Sequence, residues 1–108
     1  MSRIGIIGGI ERSEALYKRL AADAGHELEV HSGHIGGRGI ATLESLIARV
    51  DVAVVLTDVN SHGAVQSARR FARRFGVRER IVRRLGVARF VELLDELSLE
   101  QRSLACAG

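Results

Sequence analysis

The sequence predicts an α/β fold: one three-layer α/β/α sandwich on a four-stranded parallel sheet of order 2-1-3-4, Rossmann-like or flavodoxin-like. Three observations carry this expectation. Short strand-like runs alternate with helical patterns along the whole chain, glycines punctuate the changes, and Asp51 to Leu56 is the continuous apolar run of a strand covered on both faces. Arg3 to Ile7 is the first strand, closed by Gly8-Gly9. Glu11 to Ala24 follows as a helix with Leu16, Leu20 and Ala24 on one face, and Gly25 stops it. Glu27 to His31 alternates polar and apolar residues as a second strand, and a glycine-rich stretch, Ser32 to Gly39, leads into a helix bearing Ile40, Leu43, Leu46, Ile47 and Val50. After the third strand, Asn60 or Ser61 is positioned to cap a helix running to Phe75, which Gly76 ends. Arg80 to Arg84 is the fourth and least apolar strand, and Gly86 precedes a last helix with Phe90, Leu93, Leu94 and Leu97. The small, polar tail after about Ser98 is expected to fray.

With 108 residues the chain is expected to be one domain, its core spanning about 3 to 97 and its tail 98 to 108. At 46% hydrophobic and 27% charged residues it has the composition of a folded globular protein. No apolar run approaches the roughly 20 residues that span a bilayer, so no membrane partner is expected. The start lacks a secretory pattern and Cys106 is the sole cysteine, which excludes an internal disulfide framework and makes the cytoplasm the expected location. Aromatic residues are 4% of the chain and tryptophan is absent, against a base-stacking platform for single strands.

Charge is uneven. Residues 69 to 89 hold nine arginines against Glu79 alone, a local net of +8 in a chain whose total is +3. Such a field attracts nucleic acid, phosphate or carboxylate ligands, or the acidic part of a partner subunit. An ordinary solvated helix face produces the same pattern, since the arginines of 69 to 75 interleave with Ala68, Phe71, Ala72 and Phe75 at helical spacing. Fifteen of the sixteen basic residues are arginine, the residue that pairs bidentately with planar anions.

In an open parallel sheet ligands bind beyond the carboxyl ends of the strands. Gly8-Gly9, His31-Ser32-Gly33-His34, Thr57 to His62 and Arg83-Arg84 all fall there, so three of the four histidines share one edge. His31, His34 and His62 together would suit a transition metal or the iron of a cofactor, although loop histidines are commonly plain polar surface. His26 falls at the opposite edge and receives no role. Gly8-Gly9-Ile10-Glu11-Arg12-Ser13 is not a dinucleotide fingerprint, and with Lys18 as the sole lysine, inside a helix, a P-loop is excluded. Asp58, Ser61 and His62 have the residue types of a hydrolytic triad but crowd one helix cap, where acid, base and nucleophile do not line up, and no GxSxG elbow exists. No catalytic residue is assigned. Cys106, near the terminus among small residues, reads as an unimportant thiol.

These residues in this order, Ile6-Ile7-Gly8-Gly9, His31 with its glycine-rich loop, Val54 to His62, a basic helix and Arg83, resemble the bacterial domain-of-unknown-function family 2325 over about residues 3 to 95. The most specific element is Asp-x-x-Ser-His at Asp58, Ser61 and His62. Val59 stands where members often have cysteine, which argues against a thiolate ligand or redox role at that position, and Arg84-Leu85-Gly86 where Ser-Ser-Gly is typical is a second departure. The resemblance implies this fold, this histidine-bearing edge, and haem as a ligand to test. The expected function is therefore a non-enzymatic binding or sensing module for haem or a transition metal ion. Its site would comprise His31, His34, His62, Gly8, Gly9, Asp58, Ser61 and Arg83, with Ile10 and Ile35 as apolar wall and Arg83 or Arg84 for the propionates. A homo-oligomer, dimer or tetramer, is expected to complete it. Two alternatives stand beside it: a nucleic-acid, nucleotide or anion-binding regulator acting through Arg70, Arg74 and Arg84, and an enzyme on a small anionic substrate with His62 as base.

Overall fold

The structure is a computed structural model that describes residues 2–9 and 13–107, with side chains described through Glu100. Eight elements alternate along the chain: β1 (Arg3–Ile7), α1 (Glu14–Asp23), β2 (Glu27–His31), α2 (Gly39–Arg49), β3 (Val52–Leu56), α3 (His62–Phe75), β4 (Arg78–Val82) and α4 (Val87–Ala107). The strands form one parallel sheet of order β2-β1-β3-β4. The fold and strand order are those the sequence predicts.

Strand parity decides which helix covers which face, because successive side chains point to opposite sides. Ile4, Ile6, Val52, Val54 and Leu56 face α1 and α4, where they meet Tyr17, Ala21, Phe90, Leu93, Leu94 and Leu97. Ile7, Ala53 and Val55 face α2 and α3, against Leu43, Leu46, Ile47, Ala68, Phe71 and Ala72. All five residues of β3 are buried, as a central strand between two helical layers requires. Ser61 is the N-cap of α3, its hydroxyl accepting from the Ala64 N–H at 3.1 Å. Gly76 ends that helix at φ 67°, a left-handed conformation that glycine adopts without a Cβ penalty.

Three elements differ from the expectation. Of the face expected for α1, Leu20 packs half-buried against the core, whereas Leu16 is 46% exposed and Ala24 lies outside it; the fully buried residues are Tyr17 and Ala21. Tyr17 decides the rotation: its ring stacks on Phe90 with centroids 4.8 Å apart, and its hydroxyl donates to the Leu85 carbonyl at 2.7 Å. Glu11, where that helix was expected to start, lies outside the described residues. β4 lies two residues earlier at both ends, Arg78–Val82, leaving Arg83 and Arg84 in the loop beyond it, because pairing with β3 runs from Val52↔Arg78 to Leu56↔Val82. As an edge strand with charged side chains on both faces it carries little apolar signal to mark its start. α4 continues past Ser98 to Ala107. Among the described residues no helix is long and apolar enough to cross a membrane.

Candidate functional site

The carboxyl ends of the strands form a rim whose loops are tied together by side chains. Gly8 is buried and its N–H donates to the His31 carbonyl at 2.9 Å, carrying the β1–β2 pairing one step beyond the strands; Gly9 is exposed. His31 Nδ1 accepts from the Gly33 N–H at 2.9 Å, and Nε2 lies 2.9 Å from Thr42 Oγ1. Thr42 gives its one hydroxyl proton to the Gly39 carbonyl at 2.9 Å, so Oγ1 accepts from Nε2–H. His31 is thereby a neutral Nε2–H tautomer with both ring nitrogens engaged.

Asn60 is the second tie. Its Nδ2 donates to the carbonyls of Ile7, at 2.8 Å, and Leu56, at 2.6 Å, closing the gap between the ends of β1 and β3. Its Oδ1 is buried without a partner among the described residues and faces Gly33, which has φ +89° and where a Cβ would collide with it. Glycine is required there on both counts. A Cβ on Gly63 would sit 3.5 Å from Ile35 Cδ1, so the loop carrying His34 rests against the start of α3, where His62 is the first helical residue. His34 and His62 are exposed, and neither imidazole hydrogen-bonds to a described residue.

On the far side of the rim, Asp58 accepts from Arg84 Nε at 2.8 Å and pairs with Arg83 Nε at 3.6 Å. The hydrogen bond from Arg84, then the charges of both guanidinia, hold its carboxyl below the ordinary value of 3.8. Both arginine side chains are 87% exposed. The Tyr17–Leu85 bond anchors the loop that carries them.

The predicted residues therefore share the rim without forming one metal centre. Among the described residues no three His, Cys, Asp or Glu side chains lie close enough together to hold an ion, and His31, His34 and His62 make no such group. Ile10 lies outside the described residues, as does the Cys106 side chain.

The basic segment divides in two. Arg78 and Arg80 pair with Glu100, Arg80 also reaches Glu96, and Arg89 pairs with Glu92 and Glu96, all on α4. Arg69 pairs with Glu79 and Arg74, at 3.9 Å, with Glu44. Arg70 and Arg73 have no carboxylate partner among the described residues; with Gln66 and Arg69 they line an open concavity of about 450 Å³ on α3, a helix without an acidic residue. A second concavity, about 270 Å³, lies on α2 between Arg38 and Arg49, floored by Ala41, Thr42 and Ser45.

Sequence reasoning offered Asn60 as a cap instead of a tie, missed Thr42 as the partner of His31, and gave His26 no role. His26 is 4% exposed, its Nε2 lies 3.0 Å from Ser98 Oγ on α4, its Nδ1 is buried without a described partner, and burial lowers its pKa. Ser98 lies 72 positions away, beyond any local pattern.

A family model described as an uncharacterized protein conserved in bacteria (DUF2325) matches residues 3–97. No curated protein and no solved structure matches the chain.

Proposed function

The chain belongs to this uncharacterized bacterial family, and we propose that it is a binding module for phosphate-rich polyanions, engaged through the exposed arginines of α3. One observation carries the reading: most of the nine arginines in 69 to 89 are neutralised internally, whereas Arg70 and Arg73 keep their charge facing solvent over a concave surface. Exposed guanidinia without carboxylate partners bind phosphate bidentately and lose little on leaving water. Arg84, expected beside Arg70 and Arg74 in this role, is engaged by Asp58, and Arg74 is weakly engaged by Glu44.

The test is fluorescence anisotropy of a labelled DNA 20-mer titrated at several salt concentrations. Binding through two or three arginines gives a log affinity that falls against log salt with a slope of about −2 to −3. The Arg70→Glu, Arg73→Glu double variant is expected to lose at least about tenfold in affinity and flatten that slope. Equal binding by wild type and double variant removes the reading.

A second reading, haem or a transition metal held by rim histidines, is favoured by the closeness of Ile35 to Gly63, which brings the His34 loop up to the helix start at His62. Haem iron needs one or two imidazoles, whereas an ion held by protein alone takes three or more ligands, so the two free imidazoles suit haem better. Arg83, the more loosely paired with Asp58 of the two, would take a propionate, and the openness of the rim makes a second copy of the chain the cover for the macrocycle's other face. Haemin titration decides it: a shifted Soret band that His34→Ala or His62→Ala abolishes and His31→Ala leaves supports it, and an unshifted band in wild type ends it.

A further inference from the structure

We infer that the phosphate selected by the α3 concavity is a terminal phosphomonoester, doubly charged, in preference to the singly charged diesters of a nucleic-acid backbone. The inference rests on the polyanion reading above and names the group that the site prefers. Gln66, Arg69, Arg70 and Arg73 are exposed and line one concavity of about 450 Å³. Their spacing, i, i+3, i+4 and i+7, places them on a single face of two helical turns. At a rise of 1.5 Å per residue that stripe is about 10 Å long, the size of a site for one or two phosphates. It stops at both ends. Before Gln66 the first turn of α3, His62 to Val65, holds no arginine, and after Arg74 the helix closes with Phe75.

Carboxylates bound the stripe on both sides. On β4, Glu79 accepts from Arg69 Nε at 3.3 Å, and on α2, Glu44 meets Arg74 at 3.9 Å. A polyanion laid across α3 brings its next phosphates against one of these, and like charges repel. A compact group seated on the stripe takes up the guanidinia and leaves the flanking pairs intact.

Arg69 belongs to the site despite its ion pair. Its Nε is engaged, but its terminal nitrogens make no hydrogen bond to a described residue, so Glu79 fixes the guanidinium without using up its donors. The Arg70 guanidinium lies over the Phe71 ring at 5.8 Å, and the Arg73 side chain has no partner among the described residues. Three guanidinia and the Gln66 amide therefore offer more donors than the two free oxygens of a diester can accept. A phosphomonoester presents three acceptor oxygens and about −1.5 to −2 charge at neutral pH. It engages more of these donors and concentrates more charge where the guanidinia converge.

The experiment titrates the full chain into two labelled pentanucleotides of one sequence, one ending in a 5′-phosphate and the other in a 5′-hydroxyl. Anisotropy at low salt is the readout, with circular dichroism as the check on folding. The phosphorylated strand is expected to bind at least about tenfold tighter. Arg73→Gln is expected to cut that ratio to about twofold or less, and Arg19→Gln, at an exposed site on α1 across the sheet, to leave it unchanged. Adenosine monophosphate as competitor separates two sources of the group. Displacement near the strand's own dissociation constant shows that the phosphomonoester alone carries recognition, and displacement only at about a hundredfold excess shows that the attached chain adds to it; both support the site. Equal affinity for the two strands, or a preference that Arg73→Gln leaves intact, overturns the inference. The polyanion reading survives that result if the Arg70→Glu, Arg73→Glu double variant still loses binding to the DNA 20-mer, and falls with it if the double variant binds as wild type does.

Discussion

The arginines of α3 and those of β4 come from one continuous basic stretch, yet the fold treats them oppositely. Arg78 and Arg80 lie on the face of β4 turned toward α4, where Glu96 and Glu100, one helical turn apart, meet them. Arg70 and Arg73 lie on the outer face of α3, beyond which there is no further layer among the described residues. The net charge of a segment is therefore a poor guide to the charge it presents. Carboxylates brought in from a distant helix decide which half of the stretch meets solvent as cation.

Four experiments break or sharpen this contrast between the α1–α4 layer, with its internal partners, and the open α2–α3 layer. The largest effect belongs to Phe90→Ala. A fully buried ring stacked on Tyr17 leaves a cavity that the layer cannot refill, expected to cost about 3–5 kcal/mol by urea unfolding. A loss under about 1 kcal/mol would mean that α4 does not close this face.

Tyr17→Phe keeps the ring and removes the hydroxyl, leaving the buried Leu85 carbonyl without its donor. The expected loss is about 1–2 kcal/mol in the same measurement. It bears on the rim as well, because that bond anchors the loop carrying Arg83 and Arg84.

Charge reversal separates the two sets of arginines directly. Arg80→Glu sets a third carboxylate beside Glu96 and Glu100 and is expected to lower stability by about 1 kcal/mol. Arg70→Glu breaks no ion pair, removing only a guanidinium 5.8 Å over the Phe71 ring, and should stay within about 0.5 kcal/mol while weakening polyanion binding. Similar stability losses for the two would contradict the division described above.

The smallest effect is a pH dependence carried by His26. Burial lowers its folded-state pKa below the ordinary 6.5, so the unfolded chain takes up the proton first. Its contribution is fully present above about pH 6.5 and is lost as pH falls from there through the folded value. A His26→Gln variant should show a shallower decline in stability between pH 7 and 5 than wild type, read from urea midpoints; parallel declines would remove His26 from the joint with Ser98.

Much of the fold was legible from local pattern. The boundaries of β1 and β2 agree residue for residue with their apolar runs, and β3 agrees to within one. The Ser61 cap and the Gly76 stop were readable because capping chemistry acts over a few residues. The start of β4 was missed because an edge strand with charged side chains on both faces lacks a period-2 apolar signal. The buried face of α1 was misplaced because its orientation is set by Phe90 and Leu85, on and before a helix at the other end of the chain. At the candidate site the sequence located the rim and its histidines but not their state: the tautomer of His31 depends on Thr42, and the closure of the β1–β3 gap on Asn60.

The sequence by itself determined the alternation of strands and helices, the strand order, and which residues stand at the carboxyl ends, since these follow from periodicity, glycine placement and the handedness of short crossovers. Only the tertiary structure decided which arginines are neutralised, which imidazoles stay free, and that His26 is buried. Those outcomes depend on pairs such as Arg78–Glu100 and His26–Ser98, separated by 22 and 72 residues, which meet only where α4 packs back against the sheet.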